Sequence, residues 1–256
     1  MGRFDGLTVL ISGAAGGFGS GAAKRFAAEG ARLVLSDINA TRLEACAAAL
    51  DAEVAALTGD IADESLSERL VALALERFGS LDIAVNNAGI AQDFMRLPDV
   101  PSDEARRVLD IDVLGVFYAM KHQLPVMERQ AAAGRKAAIV NIASVAGIAG
   151  APKLSVYSAA KHAVVGLTRS AAAEYARRGV RVNAVCPSFA RTEMALAAFR
   201  DAPDRKAAEA EMTRGVPMRR LAEVDEIVEV ILFAADPANS FMTGQTLAAD
   251  GGITAV

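Results

Sequence analysis

The sequence predicts a doubly wound α/β fold, in which a parallel sheet is covered by helices on both faces. Two observations predict it. Short apolar, β-leaning runs alternate along the chain with longer segments of helical periodicity. The first apolar run also ends in a glycine-rich turn that opens a helix. Because no repeat, low-complexity linker or composition break interrupts the 256 residues, we expect a single domain spanning 1–256.

Composition narrows the class of protein. Apolar residues make up 53% and charged residues 23% of the chain. The formal net charge is -4, which argues against a basic surface that binds nucleic acid or an anionic membrane. The chain has no apolar signal core and no apolar run long enough to span a membrane, so we expect a cytoplasmic protein. Its two cysteines and two histidines fit no disulfide framework or metal spacing, so we expect no metal site.

The first strand and the first helix flank the glycine turn. The apolar run 7–11 predicts the strand, and helical periodicity after the turn ends near Gly30, a candidate C-cap. In such a turn backbone N–H groups approach a pyrophosphate closely, and the helix N-terminus adds a favourable dipole. A tight turn whose glycines serve geometry alone is the alternative. The candidate pyrophosphate-binding residues are Gly13, Gly17, Phe18 and Gly19.

Asp37 follows the second predicted strand, 32–35, about twenty residues after the glycine turn. A carboxylate at this position can accept hydrogen bonds from the adenosine ribose hydroxyls, and its charge repels a 2'-phosphate. Because Ile38 follows instead of Arg or Lys, the sequence favours NAD over NADP. The alternative is that Asp37 only caps a helix at 40–50.

The next predicted elements are a strand, a helix and a strand, at 54–57, 64–78 and 81–85. The second of these strands runs into a polar turn that contains Asn87, Ala88 and Gly89. Open α/β sheets bind ligands at the carboxyl ends of their strands, so this turn is a candidate part of a binding site. A turn rich in Asn and Gly that binds nothing is the alternative.

Asp112 interrupts the apolar spacing of a long helix predicted at 102–128, for which Ser102 is the N-cap candidate. A carboxylate among apolar positions is costly unless it is solvated or paired, so Asp112 either belongs to a site or turns into a cleft. Pro125 is expected to mark a bend near the end of this helix. The basic turn at 134–136 is expected to be solvated.

A strand predicted at 137–142 leads to Ser144, and a helix at 155–178 carries Tyr157 and Lys161. Spaced four apart, these two side chains lie on one face of the helix. An ammonium group stabilises a phenolate, so Tyr157 could act as an acid or base. Ser144 could donate a hydrogen bond to a substrate oxygen. An ordinary surface tyrosine and lysine is the alternative.

Later segments bear on assembly and on substrate binding. After a strand at 180–185, residues 189–216 form a long, irregular or loosely helical segment at the ligand end of the sheet, which is typical of a lid. A helix at 223–235 and a strand at 246–249 complete the pattern. The helix carrying Tyr157 also has a face of small residues, a candidate subunit interface. These residues are Ala159, Ala160, Ala163, Gly166, Ala171, Ala172 and Ala173.

In this order and spacing, the motifs resemble the short-chain dehydrogenase/reductase family along almost the whole chain. Besides the candidates above, the matching segments are Asp60-Ile61, Arg181-Val182-Asn183, Pro187 with Thr192, Gly244-Gln245 and Asp250-Gly251-Gly252. The resemblance implies one Rossmann domain with a seven-stranded parallel sheet, usually in a homotetramer. It further implies oxidation of a small-molecule alcohol, or reduction of a ketone, with a nicotinamide cofactor.

For the cofactor, the resemblance implies contacts from several segments. Asp60 and Ile61 would flank the adenine, and residues 87–89 would lie behind the ribose. At the nicotinamide end the candidates are Pro187, Ala190 and Thr192. NAD is the expected cofactor, and Asp37 disfavours NADP.

For catalysis, the resemblance implies that Tyr157, as a phenolate, takes the hydroxyl proton while a hydride leaves the carbinol carbon. Ser144 would hold the developing ketone oxygen, and Lys161 would hydrogen-bond the nicotinamide ribose. The family usually has Asn, which supports a water relay to the lysine, where this chain has Asp112. We expect Asp112 to remain part of the relay with an altered proton affinity. Ser188 stands where Gly commonly follows the proline, which affects the loop path.

The leading hypothesis is an NAD-dependent secondary-alcohol dehydrogenase. Apolar lid candidates suggest an uncharged or partly hydrophobic substrate such as a cyclic alcohol, whereas Arg191 and Arg200 could instead bind a carboxylate. These lid candidates are Phe189, Met194, Leu196, Phe199 and Met212. The nearest alternative is an NADPH-dependent 3-oxoacyl-carrier-protein-type ketoreductase that docks its partner through Arg106, Arg107 and Lys121. A noncatalytic dinucleotide-sensing protein is a third reading.

Overall fold

The computed structural model describes residues 2–197 and 202–256. Within these ranges seven strands form one parallel sheet in the order β3-β2-β1-β4-β5-β6-β7, which confirms the predicted fold class. The strands are β1 Thr8–Ser12, β2 Arg32–Asp37, β3 Val54–Thr58, β4 Ile83–Asn86, β5 Ala137–Ile142, β6 Val180–Pro187 and β7 Thr246–Ala249. None of the helices in the described ranges combines the length and apolar character that spanning a membrane requires.

Helices cover both faces of the sheet, and each face has its own hydrophobic cluster. The helices are α1 Gly17–Ala28, α2 Ala40–Ala48, α3 Glu64–Phe78, α4 Ser102–Leu109, α5 Gly115–Ala132, α6 Ser155–Tyr175, α7 Glu193–Ala197, α8 Arg205–Met212 and α9 Val224–Ala235. Helices α1, α2 and α9 pack on one face, and α3, α5 and α6 pack on the other. Along β1, Val9 and Ile11 enter the first cluster and Leu10 enters the second, because successive strand side chains point to opposite faces.

The path of the chain opens a crevice between β1 and β4. Ser12, the last residue of β1, pairs in register with Ser36 of β2 and with Asn86 of β4. The helices that follow these two central strands, α1 and α5, lie on opposite faces of the sheet. A crevice at the carboxyl ends of the strands is where open α/β sheets bind their ligands. The glycine turn and the residues after β4 border this crevice.

The helix predicted at 102–128 is present and extends to 132, but it is not a regular α-helix throughout. A π-helical turn, Asp110–Leu114, separates α4 from α5. Pro101 is the N-cap and Ser102 is already helical, and α5 runs through Pro125 to end at Ala132. A π-turn adds a residue to a helical turn and is frequent at functional sites. Here it carries a buried carboxylate that pairs with α6, a contact that helical periodicity alone could not reveal.

The basic turn at 134–136 is exposed, as predicted, but Arg135 also pairs with a buried carboxylate. Its Nε lies 2.8 Å from Oδ1 of the buried Asp82, and its Nη2 donates to Oδ2 at 2.9 Å. Asp82 also accepts hydrogen bonds from the backbone N–H of Thr8 and from the Ser80 hydroxyl, both at 2.9 Å. The carboxylate therefore joins the amino ends of β1, β4 and β5.

Two residues of the motif Arg181-Val182-Asn183 have structural contacts. The Arg181 guanidinium donates to four carbonyl oxygens at and after the end of α9, those of Ala234, Ala235, Asp236 and Met242. The Asn183 side chain donates to the Met242 carbonyl and accepts from the Gln245 N–H. This motif fixes the segment between α9 and β7.

Candidate active site

Ser144, Tyr157 and Lys161 meet where β5 ends and α6 begins. Ser144 follows β5 in extended backbone conformation, with φ −165° and ψ 159°. Tyr157 and Lys161 lie on the first two turns of α6, and Lys161 Nζ is 5.5 Å from the centroid of the Tyr157 ring. The structure therefore brings Tyr157 and Lys161 together, and Lys161 contacts the carbonyl of Ile142, two residues before Ser144.

Lys161 is a buried cation. Its side chain is 5% exposed, its Nζ lies 2.9 Å from Asp112 Oδ2, and it donates to the carbonyl of Ile142 at 3.2 Å. Burial lowers the pKa of Lys161, but the negative charge of Asp112 and interaction with Tyr157 raise it, and the net effect is a pKa above the usual value. The ammonium group is therefore charged at any working pH.

Asp112 is fully buried and points from the π-turn to Lys161. Its Oδ1 accepts a hydrogen bond from the backbone N–H of Ile90 at 2.8 Å, so it also fixes the segment after β4. A Cβ atom added to Gly89 would lie 3.1 Å from Lys161 Nζ and 3.2 Å from Asp112 Oδ2. The buried Asp112 carboxylate is therefore paired and not solvated, and its partner is Lys161 through a direct ion pair.

The Ser144 hydroxyl lies between two backbone groups. Its Oγ accepts from the N–H of Ala146 at 3.1 Å and lies 3.5 Å from the carbonyl of Pro187, to which it donates. The second contact is long, so the hydroxyl proton can turn to a substrate oxygen at small cost. Cys186, the neighbouring thiol on β6, is buried, and burial raises its pKa to about 11, so it stays neutral.

The glycine turn presents backbone donors to the crevice. No side chain caps the N-terminus of α1, where Gly16 is the N-cap. Gly13 has φ 63°, and a Cβ there would lie 2.9 Å from the Cα of Ala88. The Asn87 side chain donates to the carbonyls of Ser12 and Gly13 at 3.0 and 2.9 Å. Uncapped N–H groups beside close backbone fit a bound pyrophosphate.

Asp37 lies at the end of β2 beside the glycine turn. Its Oδ2 accepts from the N–H of Ala15 and its Oδ1 from the N–H of Asn39, both at 3.0 Å. The cap of α2 is Asn39, which accepts from the N–H of Arg42, so the alternative that Asp37 only caps this helix is wrong. Ile38 is 68% exposed. These groups fit the adenosine end of a dinucleotide.

The other predicted cofactor residues lie at the carboxyl edge of the sheet. Asp60 follows β3 and is exposed, and Ile61 packs against Gly115, where a Cβ would lie 3.0 Å from Ile61 Cγ2. Pro187 ends β6, and Ala190 forms an isolated bridge with Ala222.

The first part of the predicted lid rests on the nucleotide side of the crevice. A Cβ on Gly17 would lie 2.8 Å from Thr192 Cγ2, and Glu193 of α7 pairs with Arg42 at 2.7 Å. Met194 is 52% exposed on α7, and Phe189 is partly buried. Two residues considered from the sequence, Phe199 and Arg200, lie outside the described ranges.

Arg191 forms ion pairs with two glutamates of this chain. Its Nη2 lies 2.5 Å from Glu209 Oε1 on α8, and its Nε lies 3.0 Å from Glu223 Oε1. These ion pairs raise the pKa of Arg191, the hydrogen bond to Glu209 most of all. A substrate carboxylate would have to displace both partners.

Gln92 is a site residue that sequence reasoning missed. Its buried Oε1 accepts from the N–H groups of Val156 and Tyr157 at 2.7 and 3.0 Å, so it caps the first turn of α6 from a distant loop. Leu154, the local N-cap, makes no side-chain hydrogen bond. The missing local cap was the available signal, but nothing in the sequence pointed to Gln92 as its replacement.

Comparisons with known proteins agree with this geometry. A family model described as enoyl-(acyl carrier protein) reductase matches residues 13–254. The 2,5-dichloro-2,5-cyclohexadiene-1,4-diol dehydrogenase of Sphingobium indicum is 40% identical over 257 residues, and the match covers 100% of both chains. The cyclohexanol dehydrogenase of an Acinetobacter species is 37% identical over 259 residues, covering 98% of this chain and 96% of that protein.

Among solved structures, the 3-ketoacyl-(acyl-carrier-protein) reductase of Brucella melitensis in complex with NADH matches with a TM-score of 0.91. It is 33% identical, and the match covers 98% of this chain and 99% of that chain. The chain belongs to the short-chain dehydrogenase/reductase family and is an oxidoreductase that transfers a hydride between an alcohol or ketone and a nicotinamide cofactor.

Proposed function

We propose that the protein is an NAD-dependent dehydrogenase for secondary alcohols on six-membered carbon rings. The observation that carries the proposal is the position of Lys161, 5.5 Å from the Tyr157 ring and next to Gly89, in the turn that borders the same crevice as the glycine turn. Two relatives, a cyclohexadienediol dehydrogenase and a cyclohexanol dehydrogenase, are named for six-membered ring alcohols.

In the proposed reaction each residue has one task. Tyr157, as a phenolate, removes the hydroxyl proton of the alcohol, and Ser144 donates a hydrogen bond to the oxygen as it becomes a ketone. Lys161 lies beside Tyr157 and binds the nicotinamide ribose, and Asp112 holds Lys161 in place. When bound, the oxidised nicotinamide supplies the hydride acceptor. Tyr157 acts as the acid in the reverse direction.

The preference for NAD rests on the charges beside the adenosine end. Asp37 offers carboxylate oxygens to ribose hydroxyls and repels a 2'-phosphate. Arg42, a cation close to the turn, donates to the Ala15 carbonyl at 3.0 Å and pairs with Glu193. To bind the 2'-phosphate of NADP, Arg42 would have to break both of these contacts. The matching Brucella reductase structure contains NADH.

The remaining cofactor contacts belong to the same proposal. Asp60 and Ile61 would border the adenine, and residues 87–89 would border the ribose. The nicotinamide carboxamide would meet Pro187, Ala190 and Thr192. All of these segments lie at the carboxyl edge of the sheet, which supports one continuous cofactor site.

The substrate proposed is uncharged. The lid segment 189–216 would cover it with Phe189 and Met194, while Arg191 is already paired with two glutamates. An apolar cover with a few converging polar groups suits a ring that carries a single hydroxyl.

A panel of secondary alcohols with NAD and NADP tests this function. We expect cyclohexanol and related ring alcohols to reduce NAD, with kcat/KM for NAD at least about tenfold above that for NADP. Asp37→Ser should weaken NAD binding by about ten- to a hundredfold, because hydrogen bonds to a charged group are lost. The preference for NAD over NADP should become smaller. Asp51→Ser, an exposed aspartate in the turn before β3, is the matched control.

A strong preference for NADPH in that panel would favour the second candidate, a 3-oxoacyl-carrier-protein-type ketoreductase. The likeness to the Brucella reductase supports this candidate. The basic docking surface that this candidate needs is weakened, because Lys121 pairs with Glu64 at 2.6 Å. The other two basic residues of that surface are Arg106 and Arg107 on α4.

A homotetramer, expected from the family, is also part of the proposal. Small residues line the exposed side of α6 at helical spacing, which supports close packing of a second copy. They are Ala159, Ala163, Gly166, Ser170 and Ala173. The neighbouring Ala160, Ala171 and Ala172 are buried against this protein's own core and leave that face to the sheet.

Gln92→Ala is expected to lower kcat by about ten- to a hundredfold while the protein still folds, because the first turn of α6 loses the acceptor that positions Tyr157. Steady-state kinetics and a thermal melt on the same preparation measure both effects. Gln92→Glu keeps an acceptor oxygen at the positive end of the helix and should restore most of the rate. Asp93→Ala, the exposed neighbour, is the control, and equal losses in Gln92→Ala and Gln92→Glu would contradict the assigned role.

A further inference from the structure

The buried group around Tyr157 contains a carboxylate, Asp112, in addition to the lysine of a tyrosine–lysine pair. Lys161 and Asp112 are both buried and 2.9 Å apart, so their charges cancel at close range. Ionisation of Tyr157 would then give the buried cluster a net negative charge. With a neutral residue at position 112, the phenolate and the ammonium would cancel instead.

The other groups that face Lys161 do not change this balance. Interaction with Tyr157 comes from its own helix and with Cys186 from β6, and Cys186 is a neutral thiol. The carbonyl of Ile142 and the N–H of Ile90 complete the contacts of the pair. Among the described residues, none of these contacts adds a positive charge, so the bound oxidised cofactor is the candidate source of a charge that offsets the phenolate.

We propose that the Asp112 carboxylate neutralises Lys161 and so makes the ionisation of Tyr157 depend on the positive charge of the bound oxidised cofactor. This inference rests on the proposed roles of Tyr157 and the cofactor, and it adds a positioning residue that sets the charge of the site. Asp112 touches Lys161, and it acts on Tyr157 only through that cation and its own field.

The coupling has a defined proton balance. When the oxidised cofactor binds, the O–H bond of the Tyr157 phenol breaks and the proton goes to solvent, while the phenolate stays in the site. The reduced cofactor carries no charge on its nicotinamide ring, so its binding releases no proton from Tyr157. By linkage, affinity for NAD rises with pH until Tyr157 is ionised in the free protein, whereas affinity for NADH does not follow this change.

The decisive variant is Asp112→Asn, which removes the charge and keeps an acceptor oxygen for the N–H of Ile90. The first measurement is ultraviolet titration of tyrosinate in the cofactor-free protein. Tyr157→Phe in each background subtracts the signals of Tyr118 and Tyr175. The second measurement is calorimetric binding of NAD and of NADH across the same pH range.

We expect the Tyr157 tyrosinate signal of Asp112→Asn to appear about one to two pH units lower than in the parent protein, the effect of one unit charge several ångströms away. The pH range over which NAD affinity rises should move down equally, and NADH binding should stay as in the parent. Asp110→Asn, an exposed aspartate on the same π-turn, should leave every value unchanged.

Identical tyrosinate titrations in the parent and in Asp112→Asn would overturn the inference. If Asp112→Asn fails to fold, the parent protein still decides the matter, because equal proton release on binding NAD and NADH would overturn it. Failure of the proposed function looks different. Turnover of no secondary alcohol with NAD would refute that function, while the tyrosinate titration of the cofactor-free protein would still report on Asp112.

Discussion

Tyr157→Phe is expected to fold normally and to lose turnover by at least about a hundred- to ten-thousandfold. The substitution removes only the phenolic oxygen, the group that takes the proton of the alcohol in the proposed mechanism. The ring keeps its place 5.5 Å from Lys161 Nζ, so packing should change little. The initial rate of NAD reduction with a saturating ring alcohol measures the loss.

Tyr175→Phe is the matched control, because it makes the same change at the other end of α6. It should retain the rate of the parent protein. Full activity in Tyr157→Phe would remove Tyr157 from the reaction and would leave the proposed mechanism without an acid or base.

Asp82→Ala is expected to lower the free energy of unfolding by about 1–3 kcal/mol, because it leaves the Thr8 N–H and the Ser80 hydroxyl without their buried acceptor, whereas Arg135 stays in contact with water. The Arg135 guanidinium, the Thr8 N–H and the Ser80 hydroxyl all bond to Asp82 at the amino ends of the central strands. Denaturant unfolding followed by circular dichroism measures the change.

Lys136→Ala, next to Arg135 and exposed, should alter the unfolding free energy by no more than about 0.5 kcal/mol. A fall of under 1 kcal/mol in Asp82→Ala, within the range of ordinary substitutions, would contradict the role given to this cluster. The folded fraction of Asp82→Ala should turn over substrate at the parent rate, because the proposed site lies at the opposite edge of the sheet.

Local patterns were enough to predict the strands and the pair on α6. Strands β5 and β7 have the predicted bounds. In β5 all six residues are buried, and its apolar run between turns reports this burial on both faces of the parallel sheet. Tyr157 and Lys161 are four residues apart, so helix geometry alone places them on one face. The roles assigned to them stay predictions until the variants are measured.

Contacts between distant parts of the chain were beyond local patterns. Asp112 lies on a π-turn within its helix and pairs with Lys161 on another helix, about fifty residues away in sequence. Gln92 caps a helix that begins more than sixty residues later, from a loop with no periodicity. In both cases a polar side chain completes a buried hydrogen-bonding requirement created by the tertiary fold, and the sequence showed the need for a partner without identifying it.

The Asn87 side chain has a consequence for how the crevice discriminates between ligands. A carbonyl oxygen carries partial negative charge, and an approaching phosphate would be repelled by the oxygens of Ser12 and Gly13. Asn87 Nδ2 covers both of these oxygens. We therefore expect an anionic ligand at the glycine turn to meet N–H dipoles while the opposing carbonyl dipoles are screened.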